Sequence, residues 1–139
     1  MKVENIVVEL DNGAYMPYKA HCYDAGFDLY ARKDQKITSN TLVDTGVHMN
    51  IPNGYVGLVF PRSSMSLKNF MTATGVIDSG YTGSIKVNLK RPRFLPKTIK
   101  AGERIAQIVI IPLPNFALTI GQMPKNTERG FGGFGSTGV

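Results

Sequence analysis

Gly75-Val-Ile-Asp-Ser-Gly-Tyr-Thr-Gly-Ser-Ile85-Lys-Val-Asn-Leu-Lys90 decides how the chain is read. An apolar run ends at a single carboxylate, Asp78, and a glycine-flanked turn follows with Tyr81 three residues on. Ile85, Val87 and Leu89 then alternate with Lys86, Asn88 and Lys90, the period of 2 that marks a strand. The stretch predicts a strand, a tight hairpin and a returning strand, holding Asp78 and Tyr81 rigidly above a small pocket. Asp and Gly are also common turn residues, so taken alone the same letters describe a surface hairpin.

Moving upstream, Pro61-Arg-Ser-Ser-Met-Ser-Leu-Lys-Asn69 reads as a short helix capped by Ser63 or Ser64. Its free N–H groups, with Arg62 beside them, would suit an anion. Residues 41–51 and 55–60 are rich in β-branched and aromatic side chains, and Pro52-Asn53-Gly54 joins them as a hairpin turn. Asp24-Ala-Gly-Phe-Asp-Leu-Tyr-Ala31 is a turn leading into a strand. Asp24 and Asp28 stand four apart, so on a strand they share a face and could approach one cation; a turn Asp followed by a strand-end Asp is the plainer reading. Residues 3–10 form an opening strand.

Downstream, Arg91-Pro-Arg-Phe-Leu-Pro96 is too proline-rich to continue a ladder, and residues 104–113 make a long apolar strand interrupted only by Gln107. No helical period of ten residues or more occurs. Many short strands with Gly and Pro turns predict an all-β sandwich or barrel. From Gly121 the apolar pattern stops, and Arg129-Gly-Phe-Gly-Gly-Phe-Gly-Ser-Thr-Gly138 closes the chain. Gly130, Gly132 and Gly135 spell a dinucleotide fingerprint, but no strand-turn-helix follows them. What survives is chemistry: glycine N–H groups for phosphates, hydroxyls at Ser136 and Thr137, charge at Arg129, and a ring at Phe134 for stacking. A terminus that orders over its ligand would be a lid.

The whole chain has 139 residues, enough for one domain with its own core. One cysteine, Cys22, and two histidines are too few for a structural zinc site. The lone cysteine and the lack of a leader pattern at the start lead us to expect a cytoplasmic setting. No apolar run approaches the roughly 18 residues of a membrane span. The formal charge is +6, and Lys86, Lys90, Arg91, Arg93, Lys97, Lys100 and Arg104 share a segment whose only acid is Glu103. That density suits an anionic partner, or else a strand edge guarded by lysines.

Five segments together resemble the ordered motifs of the trimeric dUTP diphosphatase (dUTPase) family: Ala25-Gly-Phe-Asp-Leu-Tyr-Ala31, Pro61-Arg-Ser-Ser64, Gly75-Val-Ile-Asp-Ser-Gly-Tyr-Thr-Gly83, Gly102-Glu-Arg-Ile-Ala-Gln107 and the glycine-rich tail from Arg129. The resemblance implies a distorted jelly-roll β-barrel over residues 1–120 and a flexible tail, 121–139, closing over the site. It also implies a homotrimer with shared active sites that hydrolyses dUTP to dUMP and pyrophosphate with Mg²⁺. On that resemblance Asp78 is the general base, and Tyr81 packs under the deoxyribose. Gly75, Ile77, Gly80, Ile85, Lys86 and Asn88 belong to the nucleoside side. Arg62, Ser63, Ser64 and Gln107 match the phosphate side, and Asp28 orients metal-bound water without touching the ion. Arg129, Phe134, Gly135, Ser136 and Thr137 match the closing tail. Met65-Ser66 stands where the family often has a glycine, and Gly80 where many members carry Asp.

The related dCTP deaminase branch uses a Glu where this chain has Asn88, an amide that cannot shuttle a proton. A nucleic-acid-binding barrel would interleave aromatics with the basic residues, and that segment offers only Phe94. The expectation is therefore no nucleic acid and no membrane, with a regulatory protein partner left open.

Overall fold

The computed structural model describes residues 2–136 and 138. Eleven strands and one short helix follow one another as β1 (Val8–Leu10), β2 (Phe27–Tyr30), β3 (Gln35–Ile37), β4 (Ser39–Asp44), β5 (Val47–Met49), β6 (Tyr55–Phe60), α1 (Ser63–Leu67), β7 (Met71–Thr72), β8 (Gly75–Ile77), β9 (Lys86–Arg91), β10 (Lys97–Ile99) and β11 (Arg104–Pro112). The all-β class is as the sequence predicts. Four sheets carry it, in the orders β2-β11-β6-β8, β4-β9-β7, β1-β5 and β3-β10, and they form no closed barrel among the described residues. Among those residues no helix is long and apolar enough to cross a membrane.

The core collects the inward half of each alternating strand: Leu29, Val43, Val59, Val87, Leu89 and Ile108 are all essentially inaccessible. Burying each such side chain contributes about 1.5–3 kcal/mol, before the entropy of ordering is subtracted. Gly57 sits where β6 meets this core. A Cβ there would stand 2.7 Å from Ile51 Cδ1 and 2.9 Å from Ile108 Cδ1, so only hydrogen fits.

Several local expectations are corrected. The opening strand shrinks to β1. Residues 41–51 are two strands, β4 and β5, broken at Thr45-Gly46. There the buried Thr45 hydroxyl donates to the Ile85 carbonyl at 2.6 Å, and Gly46 takes a left-handed φ of 67°. The Thr45 N–H bonds the same carbonyl, and the Ile85 N–H bonds Val47 O. Ile85 is thereby stitched into the break, and the ladder cannot run through it. The Pro52-Asn53-Gly54 turn joins β5 to β6, which lie in different sheets, so it is a corner and no hairpin.

The same holds for the central stretch. β8 pairs with β6 and β9 pairs with β4 and β7, so residues 78–85 arch from one sheet to another. The helix is shorter than the sequence suggests. α1 has five residues, Arg62 is its N-cap, and neither Ser63 nor Ser64 makes a side-chain cap.

After Pro112 the chain leaves the sheets. The Leu113 N–H still bonds Gly54 O at 2.7 Å. Beyond it no strand or helix forms among the described residues, and Phe116, Leu118, Ile120 and Met123 all stand exposed.

Candidate active site

Two candidate regions lie at opposite ends of β6. The first is a polar pocket of about 310 Å³ lined by residues that include Asp24, Gly26, Asp28, Arg62, Ser63, Arg104 and Gln107. The sheet register explains the gathering: Asp28, Gln107 and Phe60 are neighbours across β2, β11 and β6. Gln107 donates from Nε2 to the Pro61 carbonyl at 3.2 Å, tying the strand end to the segment that carries Arg62. Gly26 is required beside it, since a Cβ there would lie 2.6 Å from Gln107 Oε1.

Asp28 is the hinge of this pocket. Arg62 Nε lies 3.0 Å from one carboxylate oxygen and Arg104 Nη1 lies 3.5 Å from the other. Its side chain is only 16% exposed, so the two guanidinium groups neutralise a carboxylate that water scarcely reaches. Asp24 instead accepts the His21 backbone N–H at 2.9 Å, in a turn before the strand begins. The two acids therefore line one pocket but do not form a cation pair, because arginines already occupy Asp28. Among the described residues no group of three His, Cys, Asp or Glu side chains could cage a metal.

Arg104 was legible as part of the basic segment and of the 102–107 motif, with no role of its own. Three residues before Gln107, regular alternation would put it on the opposite face. The register of β11 on β2 shifts between Arg104 and Ala106, and this bulge restores Arg104 to the pocket. The rest of the basic segment disperses. Lys100 pairs with Asp34, while Arg91 bonds Lys68 O and Leu95 O and lies over the Phe70 ring.

The second region is the arch. A turn from Asp78 to Tyr81 is closed by the Tyr81 N–H on Asp78 O at 3.1 Å. Ser79 Oγ donates to Asn53 Oδ1 at 2.7 Å, anchoring the turn to the corner before β6. Gly80 has a φ of 84°, which that turn needs. Tyr81 folds back across its own loop, its hydroxyl donating to Ser84 O at 3.0 Å. Its ring lies so close to Gly83 that a Cβ there would collide with the phenol oxygen. The Asp78 carboxylate is exposed and has no hydrogen-bond or ion-pair partner among the described residues.

Gly75 and Ile77 hold the arch to β6, Ile85 is buried, and Lys86 is exposed at the start of β9. Asn88 Oδ1 is buried without a partner, as is Thr72 Oγ1, which sequence reading had passed over. An unpaired buried oxygen is costly unless something binds it, but a lone Thr carries no local signal.

The two regions do not meet within one chain. Ile77 pairs with Gly57, which sets Asp78 level with Val56, six residues from Arg62 and so about 20 Å away along the strand direction. No residue of the arch lines the pocket. Among the described residues the tail bonds to neither: Arg129 Nε donates to Gly132 O, and Ser136 Oγ accepts the Gly133 N–H. Phe134 has a left-handed φ of 51°, Gly135 follows at 86°, and both are exposed. Thr137 lies outside the described residues.

A model of the dUTPase family matches residues 12–138. The chain belongs to the dUTPase family. A Cutibacterium acnes protein named deoxyuridine 5'-triphosphate nucleotidohydrolase is 43% identical over 131 residues, 89% of this chain and 86% of its own. A Clostridium kluyveri protein of the same name is 40% identical and covers 99% of both chains. Among solved structures, the dUTPase of Staphylococcus bacteriophage 80alpha with dUpNHpp superposes with a TM-score of 0.90 at 31% identity, over 99% of this chain and 100% of that one. A mutant dUTPase from S. aureus phage phi11, described with a structural Mg(II) ion, gives a TM-score of 0.80 at 26% identity, over 88% and 100% of the two chains.

Proposed function

We propose that the chain hydrolyses dUTP to dUMP and pyrophosphate, in sites that separate copies complete together. The observation that carries this is the unpaired Asp78 carboxylate, held on a braced turn about 20 Å from the Arg62–Asp28–Gln107 pocket. A triphosphate lying against Arg62, Arg104, Ser63, Ser64 and Gln107 of one copy would present its α-phosphorus to Asp78 of another. Arg62 and Arg104 supply charge-assisted donors in a semi-enclosed pocket, where they favour a polyanion.

Asp78 then takes a proton from a water whose oxygen bonds to the α-phosphorus, while the bond to the bridging oxygen breaks and pyrophosphate leaves. General-base assistance of this kind is worth about 10²–10⁴-fold. Tyr81, pinned across the loop, leaves no space for a 2′-hydroxyl, and the backbone from Gly80 to Asn88 reads the uracil edge. Arg129, Phe134, Gly135, Ser136 and Thr137 belong to a flexible tail, residues 121–139, that closes on the bound nucleotide over a jelly-roll domain, residues 1–120.

Mg²⁺ fits this reading as an ion carried by the substrate. The described residues offer no cage of acids, which suits an ion that keeps most of its waters and would arrive with the substrate's phosphates. Asp28 would orient such water through the lone pairs that remain on its two arginine-bound oxygens. When bound, the ion offsets the charge of the phosphates.

A homotrimer supplies the second copy. Leu118 and Ile120, exposed beyond β11, need a cover, and a groove of about 580 Å³ lined by Val3, Ile6, Met16, Phe27 and Ile110 among others is apolar enough to give it. A cytoplasmic place belongs to the same reading. Pyrophosphate release from dUTP, UTP, dCTP and dTTP tests it: turnover of dUTP alone supports the proposal, and equal turnover of UTP contradicts it.

A further inference from the structure

His48 stands behind the arch, outside every motif quoted above. Its Nδ1 is 2.7 Å from the Thr82 carbonyl and its Nε2 is 3.1 Å from Asp11 Oδ1. Both partners are acceptors only, so each ring nitrogen must carry a proton, and only the imidazolium makes both bonds. Asp11 is itself anchored: its other oxygen lies 3.5 Å from Arg32 Nη1, and its N–H bonds Gly46 O at 2.8 Å. Arg32 Nη1 also reaches Asp44 Oδ2 at 3.4 Å, and the Ser84 hydroxyl donates to the other oxygen of Asp44. Thr82 and Ser84, two steps apart in the arch, are thus both moored to one charged network.

We propose that His48, as the imidazolium, is a positioning residue for the nucleoside half of the arch, and that it couples dUTP affinity to pH. This role rests on the hydrolase reading above. The arch is moored at both ends, and Ser84 on Asp44 adds a bond at the far one. Ser79 on Asn53 secures the Asp78 end, and His48 on Thr82 secures the end that follows Tyr81. A neutral imidazole has one N–H and must give up one of its two bonds, which breaks the link from Thr82 to the Asp11 anchor. Tyr81 and the backbone after it then lose their fixed position, while Asp78 keeps its own brace. The consequence is a rise in KM with little change in kcat.

The groups facing His48 set the direction. The bonds to the Thr82 carbonyl and the Asp11 carboxylate raise its pKa above the ordinary imidazole value; desolvation opposes them, and the charges of Asp11 and of Glu9, directly opposite on β1, add to the rise. Arg32 and Lys86 are the nearby cations and act through Asp11 and Asp44. A raised histidine pKa means the clasp is complete at low pH and is lost as pH rises through the folded value.

The test is the pH profile of KM and kcat for dUTP hydrolysis by the wild type, His48→Gln and His48→Arg, with an NMR titration of the His48 ring with and without dUMP. The wild-type KM should rise about fivefold on passing through the His48 titration. His48→Gln should hold the high KM at every pH, and His48→Arg, whose charge is permanent, the low one. Bound dUMP should move the His48 titration to higher pH, because linkage is reciprocal. No pyrophosphate from dUTP at any pH overturns the hydrolase reading and this role with it. An active enzyme whose KM ignores His48, or a ring titration indifferent to dUMP, overturns the positioning role alone.

Discussion

The pocket around Asp28 and the arch around Asp78 each hold one carboxylate, and they treat it in opposite ways. Asp28 is nearly enclosed and clamped by two arginines, so its charge is spent on holding Arg62 and Arg104 in place. Asp78 is exposed and unpaired, while the backbone beneath it is braced at Ser79 and Thr82. A side chain that organises its neighbours is paired with them. One that must accept a proton is left free on a rigid support. On the proposed function, the difference means that the pocket binds and the arch acts, each completing a site with another copy.

The largest effect should come from the free carboxylate. Asp78→Asn keeps the shape of the turn and removes the base, so kcat for pyrophosphate release should fall by about 10²–10⁴-fold with nucleotide affinity within about tenfold. An equal loss in affinity and kcat would mean that Asp78 binds and does not act. Deleting residues 127–139 should cut turnover by at least about 100-fold, since the tail is proposed to close the site. Its melting temperature should scarcely move, because the deleted residues bond within the tail.

Gly83→Ala sharpens the contrast from the other side. The new methyl group meets the Tyr81 ring, so KM for dUTP should rise about tenfold, and discrimination against UTP should weaken. Gly57→Ala should do the reverse. It overpacks the core between Ile51 and Ile108, lowering stability by about 1–3 kcal/mol in denaturant while leaving kcat/KM unchanged. Acid should loosen the arch. Burial pushes the Asp44 carboxyl up, but bonds from Ser84 and the Gly46 N–H, with the charges of Arg32 and Lys86, outweigh it and hold its pKa below the ordinary value. The stability it lends is therefore present above the unfolded carboxylate pKa and lost as pH falls through the lower folded one.

Much of this was legible in the letters. The alternation from Ile85 to Leu89 announced β9, the apolar run after Arg104 announced β11, and the turn at Asp78 was read correctly as a turn. Pairing was not legible. β8 and β9 are close in sequence and look like one hairpin, yet Thr45 captures Ile85 and sends β9 to β4 instead. The bulge that returns Arg104 to the pocket is a backbone event with no residue signature in this segment. The His48 network escaped for another reason. Asp11, Arg32, Asp44 and Ser84 are scattered along the chain, and only the folded register brings them together.

Subunit mixing tests the central claim most directly, that the arch of one copy works on the pocket of another. Asp78→Asn and Arg62→Ala chains, each inactive alone, would be co-expressed in equal amounts and assayed for pyrophosphate release from dUTP. If the two regions come from different copies, about a quarter of the sites in a random assembly hold both intact groups, and that share of wild-type activity should return. If the mixture stays as inactive as its parents, Asp78 and Arg62 serve the same site from the same chain, and the account fails.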